Sequence, residues 1–312
     1  MGGANQFDEF EQRCFHRKSH SLTQIPPFGD YCFACSSSNL ERVSNSKSPI
    51  VSPQWLEHHL SDPRIRVVQS DMTPDDYREG HIPGAVFWHS LADLLLPGLA
   101  LNLEPSHFEA LMSRSGIERN SVVVFSSSYA ATAPFLKWFS DLFGHPDSYV
   151  LDGGSTRWKS EERPLETHKR RPRATTYCAT SRDNSSRASS ADVRAAQSNP
   201  NAIIIDARTS HEFSGEWFMM APPIEGQRGG HIPEAIHLPF ELALHPNDTF
   251  KCADELRALY ASHGITPDRD IIIYCAVGAR SAHTWFVLSQ LLGFPNVRSY
   301  DGSWNQWSQE AQ

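Results

Sequence analysis

Apolar runs alternate with helical stretches along most of this chain. Ile271 to Tyr274 is an uninterrupted apolar run dominated by β-branched side chains, which predicts a strand buried on both faces. Ser281 to Leu292 carries a helical pattern stopped by Gly293. A similar run, Ala202-Ile-Ile-Ile-Asp-Ala-Arg208, precedes them, and Val122-Val-Val-Phe-Ser126 stands in the first half. The pattern occurs twice. His81-Ile-Pro-Gly-Ala85 returns as His231-Ile-Pro-Glu-Ala235, Ser126 aligns with Cys275, and Leu151-Asp-Gly-Gly154 returns as Tyr300-Asp-Gly-Ser303, each displaced by 149 or 150 residues. Three ordered anchors at one displacement indicate an internal duplication. Strands alternating with helices predict an α/β protein of two tandem units, each an open parallel sheet flanked by helices. Such sheets bind ligands outside the carboxyl ends of their strands, which is where Cys275 falls.

Candidate chemistry concentrates in the loop after that strand. Between Tyr274 and the helix, the amides of Ala276, Val277, Gly278, Ala279, Arg280 and Ser281 have no ladder or intrahelical acceptor, so they can converge on whatever occupies the mouth of the loop. The sulfur of Cys275 sits there. Gly278 permits a positive φ that curls the loop into a cup, and Arg280 adds a cationic fork. All of these favour negative charge on sulfur. The first copy reads Ser126-Ser-Ser-Tyr129-Ala-Ala131 at the same place and lacks the thiol, the glycine and the arginine together. Ser126 is therefore expected to be structural.

With Gly80-His-Ile-Pro-Gly-Ala85, Gly230-His-Ile-Pro-Glu-Ala235, the Cys275 to Arg280 loop and Tyr300-Asp-Gly-Ser-Trp304, the chain resembles the tandem rhodanese-type sulfurtransferases. The resemblance implies two rhodanese-like domains, the second catalytic with Cys275 carrying a persulfide, the first a degenerate partner that closes the cleft. It implies a small-molecule sulfur donor and a thiophilic acceptor such as cyanide or a thiol, with no cofactor and no metal. Mercaptopyruvate-type members carry a small hydroxyl residue two positions after the cysteine, and animal thiosulfate-type members a lysine; Val277 is neither. The CxxGxR form resembles two-domain bacterial and fungal thiosulfate enzymes, and Arg280 suits a sulfonate-like dianion, so thiosulfate is the expected donor. The alternatives are 3-mercaptopyruvate and a relay charged or discharged by a protein partner. Related phosphatases place five residues between cysteine and arginine, and here there are four, Ala276 to Ala279.

Weaker candidates surround this loop. Arg208 ends its strand at the same sheet edge and either meets a substrate anion or forms an ion pair that holds the loop. Residues 215–230 are an insertion in the second copy that can wall the cleft with Trp217, Met219 and Met220 and offer Arg228 to the donor. His81 and His231 are expected to stabilise turns, and Trp304 and Trp307 to pack the last turn onto the sheet.

Composition narrows the picture. The chain has 312 residues, with 28 basic against 36 acidic ones, which implies neither a nucleic-acid nor a membrane-surface partner. The expected division is a flexible extension over 1–48, the degenerate domain over 49–160, a Ser- and Arg-rich linker over 161–190 and the catalytic domain over 191–312. The extension carries Asp8, Glu9 and Glu11, unlike an acid-poor transit peptide, and lacks a signal-peptide core. Its Cys14, His16, His20, Cys32 and Cys35 fit no common zinc spacing. Six cysteines without a secretory signal suggest a reducing compartment, the cytoplasm most simply, with the mitochondrion as the alternative.

Overall fold

The computed structural model describes residues 48–180 and 182–310, so the expectations for the extension and its cysteines lie outside the described residues. The first unit builds a parallel sheet from β1 (Ile50–Val51), β2 (Ile65–Asp71), β3 (Val86–His89), β4 (Val122–Ser126) and β5 (Ser148–Leu151), in the order β1-β5-β4-β2-β3. The second uses β6 (Ala202–Asp206), β7 (Ile236–His237), β8 (Asp270–Tyr274) and β9 (Val297–Ser299), in the order β7-β6-β8-β9. Strand for strand this is the same sheet, with β9, β8, β6 and β7 standing for β5, β4, β2 and β3. The place of β1 is taken by the end of the linker: Arg187 bridges to Ser299 in parallel, and Ser299 N–H donates to the Ser186 carbonyl at 2.8 Å. The linker also lies packed on the first unit, where Thr175 N–H donates to the Ser113 carbonyl and Asp183 N–H to that of Leu142.

The all-apolar central strands follow from coverage on both faces. One face of each sheet has its own cluster, around Val67, Tyr77 and Trp158 in the first unit and around Ile204, Tyr274 and Trp304 in the second. The other faces share one continuous core. In it, helix Thr132–Leu142 of the first unit packs on helix Ala279–Trp285 of the second, bringing Phe135, Leu136 and Phe139 into one cluster with Ala282, Trp285 and Phe286. Polar ties join the same units, with Asn305 Nδ2 donating to the Gly98 carbonyl at 2.8 Å and Phe250 N–H to Asp152. The helix expected from Ser281 starts two residues earlier, at Ala279, and its last turns run on as a π-helix, Phe286–Leu291, before Gly293 at φ +73°. No helix among the described residues is long and apolar enough to cross a membrane.

The paired His-Ile-Pro turns are built alike. His81 stacks on Tyr77 at 3.7 Å and hydrogen-bonds the Tyr77 carbonyl through Nδ1; His231 stacks on Phe213 at 3.9 Å and bonds the Phe213 carbonyl. The sequence separation is four residues in the first unit and eighteen in the second, because the 215–230 insertion leaves and rejoins the same turn. Both histidines hold turns, and neither lines the cleft described below.

His283 lies in the shared core, stacked on Phe250 and edge-on to Phe240, with neither ring nitrogen hydrogen-bonded among the described residues. Burial pushes its pKa down to about 3 from 6.5. The unfolded chain then binds a proton below pH 6.5 that the folded chain refuses, so the neutral imidazole contributes full stability above pH 6.5 and loses it as pH falls toward 3. His145, pushed down by burial to about 4, acts in the same sense. Replacing His283 with leucine should flatten the loss of stability between pH 6.5 and 4 by about 2 kcal/mol, measured by denaturant melts across that range. An unchanged acid slope would show that His283 is protonated as readily folded as unfolded.

Candidate active site

Cys275 is delivered by register. Tyr274 pairs with Asp206 at the carboxyl end of the central strands, and the next residue leaves the sheet. Three groups behind the loop satisfy its carbonyls: Trp304 N–H donates to Cys275 O at 2.9 Å, Asn305 N–H to Ala276 O at 3.0 Å, and Ser281 Oγ to Gly278 O at 2.8 Å. With the carbonyls turned back, the amides face forward. Gly278 N–H approaches Cys275 Sγ at 3.1 Å, while the amides of Ala276 and Val277 have no intramolecular acceptor among the described residues. The amides of Ala279, Arg280 and Ser281 belong to the helix's first turn, where none has an intrahelical partner. Gly278 sits at φ +108°, and a Cβ there would lie 3.3 Å from the Asp301 carbonyl, so both conformation and space call for glycine.

Ser303 completes the cup. Its Oγ accepts the Cys275 amide at 3.1 Å, donates to the Tyr300 carbonyl at 2.8 Å and lies 3.9 Å from Sγ. It holds φ +52°, a left-handed conformation that serine seldom adopts. The corresponding Gly154 of the first unit has φ +57°, and a Cβ there would meet the Ser127 carbonyl at 2.2 Å. The duplicated Asp-Gly-Gly and Asp-Gly-Ser turns were thus legible, and the role of the serine was not.

Arg280 points where expected but is not free. Its two terminal nitrogens donate to both oxygens of Glu212, each at 2.7 Å, and both side chains are largely buried. Burial alone would raise the Glu212 carboxyl; the adjoining guanidinium and its hydrogen bonds outweigh that and hold it below the usual carboxylate value. Burial likewise opposes charge on Arg280, and Glu212 more than offsets it. Glu212 is fixed from its own side by the capping box of helix Ser210–Ser214, accepting the amide and hydroxyl of Thr209. The Thr-x-x-Glu spacing was visible in the sequence; its alignment with Arg280 was not.

Two expected substrate contacts are placed elsewhere. Arg208 is fully buried beneath the loop, clamped by Asp206 and the Gly230 carbonyl and lying over the Trp304 ring, so it is the ion pair and not an anion receptor. Arg228 also lies over the Trp304 ring and donates to the Trp307 carbonyl. Trp304 and Trp307 are buried, as packing of the last turn requires.

Cys275 lines a cavity of about 350 Å³ between the units. The second unit contributes Ala276, Val277, Ala279, Arg280, Glu212 and Glu241, and the insertion supplies Trp217, Met219 and Met220. The first unit closes it with Met72, Leu91, Leu95, Phe135 and Tyr129. The degenerate loop of that unit is collapsed: one oxygen of Asp71 accepts Ser127 Oγ, Ser128 N–H and Ser128 Oγ, all at 2.8 Å. An internal carboxylate therefore takes the donors of this loop.

A sulfur in a ring of amides at the end of a parallel sheet, repeated once without its thiol, matches the rhodanese-like domain, whose family model covers residues 52–161 and again 189–310. The chain belongs to the rhodanese-like family. The sulfur carrier protein TtuD of Thermus thermophilus is 39% identical over 264 residues, covering 83% of this chain and 93% of that protein. A protein of Mycolicibacterium smegmatis named "Putative thiosulfate sulfurtransferase" is 38% identical, covering 83% and 94%. The anaerobic ergothioneine biosynthesis enzyme of Chlorobium limicola shares the fold at a TM-score of 0.74 and 23% identity, over 84% of this chain and 68% of its own.

Replacing Ser303 with alanine removes the acceptor of the Cys275 amide without opening the cleft. We expect about a tenfold slower alkylation of Cys275 with a thermal melt lowered only slightly, since one buried hydrogen bond is worth roughly 1–3 kcal/mol. Unchanged alkylation kinetics would confine Ser303 to the turn.

Proposed function

We propose that this protein moves a sulfane sulfur from a small donor to a thiophile through a persulfide on Cys275. The observation that carries the reading is the Gly278 amide 3.1 Å from Sγ, beside further amides with no acceptor of their own. These donors favour a thiolate before transfer and a persulfide anion after it, without rearrangement between the two. The thiolate attacks the outer sulfur of the donor, a new S–S bond forms, and the old bond's electron pair leaves with the donor remnant, sulfite where thiosulfate is used. Cyanide or a thiolate then attacks the terminal sulfur, and Cys275 leaves as thiolate.

The CxxGxR form and the name of the Mycolicibacterium relative point to thiosulfate among the small donors, although an Arg280 already paired with Glu212 offers a dianion little attraction; mercaptopyruvate is less favoured because Val277 has no hydroxyl. A second reading, a relay whose persulfide passes to a protein partner, is supported by the name of the Thermus relative and fits the same chemistry. A reducing compartment such as the cytoplasm would keep Cys275 available for either cycle.

Mixing with thiosulfate should add one sulfur atom to the intact mass, discharged by cyanide as thiocyanate. The Cys275→Ser protein should stay unloaded, with turnover reduced by at least a thousandfold. Loading that persists in that variant would move the nucleophile elsewhere.

A further inference from the structure

Resting on the sulfurtransferase reading, we propose that the cleft selects a sulfane-sulfur carrier with an apolar body and at most one negative charge, and that Glu212 is the residue that sets this preference. Arg280 is the one cation lining the cleft among the described residues, and both of its terminal nitrogens are held by Glu212. Glu241 adds a second carboxylate to the wall. Two carboxylates against one guanidinium leave no net positive charge for a dianion, and attack on such a donor also brings a thiolate toward it. The loop amides can neutralise one charge on the transferred group.

The rest of the wall is built for something larger than a tetrahedral oxyanion. Leu91, Leu95 and Phe135 face Val277 and Met219 across the cavity, and about 350 Å³ lies within the range of pockets that enclose small organic molecules. An apolar body placed there leaves water for these side chains while its terminal sulfur reaches Sγ. For an aryl thiosulfonate the step balances simply: Cys275 thiolate attacks the outer sulfur, the bond between the two donor sulfurs breaks, an aryl sulfinate leaves with the electron pair, and the persulfide anion remains.

The test compares donors with cyanide as the common acceptor: thiosulfate, a small dianion; methanethiosulfonate, a small monoanion; and benzenethiosulfonate, a monoanion with an apolar ring. In the wild type, kcat/KM should rise in that order, with the aryl donor at least about tenfold above the methyl one, the gain expected from burying a ring. Glu212→Gln frees the charge of Arg280 and should raise the ratio of thiosulfate to benzenethiosulfonate efficiency about tenfold. Should that variant melt early, Val277→Lys places a cation on a partly exposed loop position and should shift the same ratio in the same direction. Wild-type kcat/KM for thiosulfate equal to or above that for the aryl donor overturns the inference, as does an unmoved ratio in a folded variant. Failure of all three donors to load Cys275 in intact-mass measurements would instead overturn the sulfurtransferase reading itself, and the inference with it.

Discussion

The backbone of the Cys275 loop has to be satisfied from one side only. A tight loop at the end of a buried strand carries as many carbonyls as amides, and buried polar groups left without partners cost roughly 1–3 kcal/mol each. The turn Tyr300 to Asn305 resolves this by approaching from behind, where the amides of Trp304 and Asn305 take the carbonyls of Cys275 and Ala276. The amide of Gly278 is then left to approach the sulfur. Gly278 at φ +108° and Ser303 at φ +52° are consequences of that division, since each bends the chain so that a carbonyl turns away from the sulfur. The anion site is thus a by-product of hydrogen-bond satisfaction elsewhere, which is why it needs no cation.

The Glu212–Arg280 pair is best understood in the same frame. A buried guanidinium without a partner would be strongly destabilising, and a bidentate carboxylate fixed by its own capping box is a geometry in which such a pair can be held. Its consequence for the site is to keep the first turn of the helix in place while cancelling the long-range field of the arginine. Positioning and attraction, which a free arginine would supply together, are separated here.

Local features were legible in the sequence, and features that depend on the meeting of distant segments were not. The strand Ile271–Tyr274, the glycine of the loop and the duplicated turns follow from short-range patterning, and the likeness of the two sheets follows from the duplication. Glu212 escaped because it meets Arg280 across 68 residues of sequence, although its Thr-x-x-Glu box marks a helix start. Arg208 was ambiguous for the opposite reason: its neighbour Asp206 lies two residues away and either partner was plausible until its full burial placed it under the loop. Leu91, Leu95 and Phe135 read only as core residues, because the docking of the two units decides which core residues face a cavity.

The degenerate unit earns its place through that docking. Its loop is tied to Asp71, and helix Thr132–Leu142 packs against the helix that begins at Ala279. The Cys275 loop therefore leads into a helix packed against the other copy. Serine in place of cysteine in the first unit is compatible with this packing, because Ser126 lies at the loop and the residues that pack lie on the helix behind it. Two copies of which one has the cup give a cleft with two unlike walls: one holds the sulfur and the amides, while the other supplies leucine and phenylalanine. A single copy of the fold would lack the wall that Met72, Leu91, Leu95 and Phe135 place opposite the Cys275 loop.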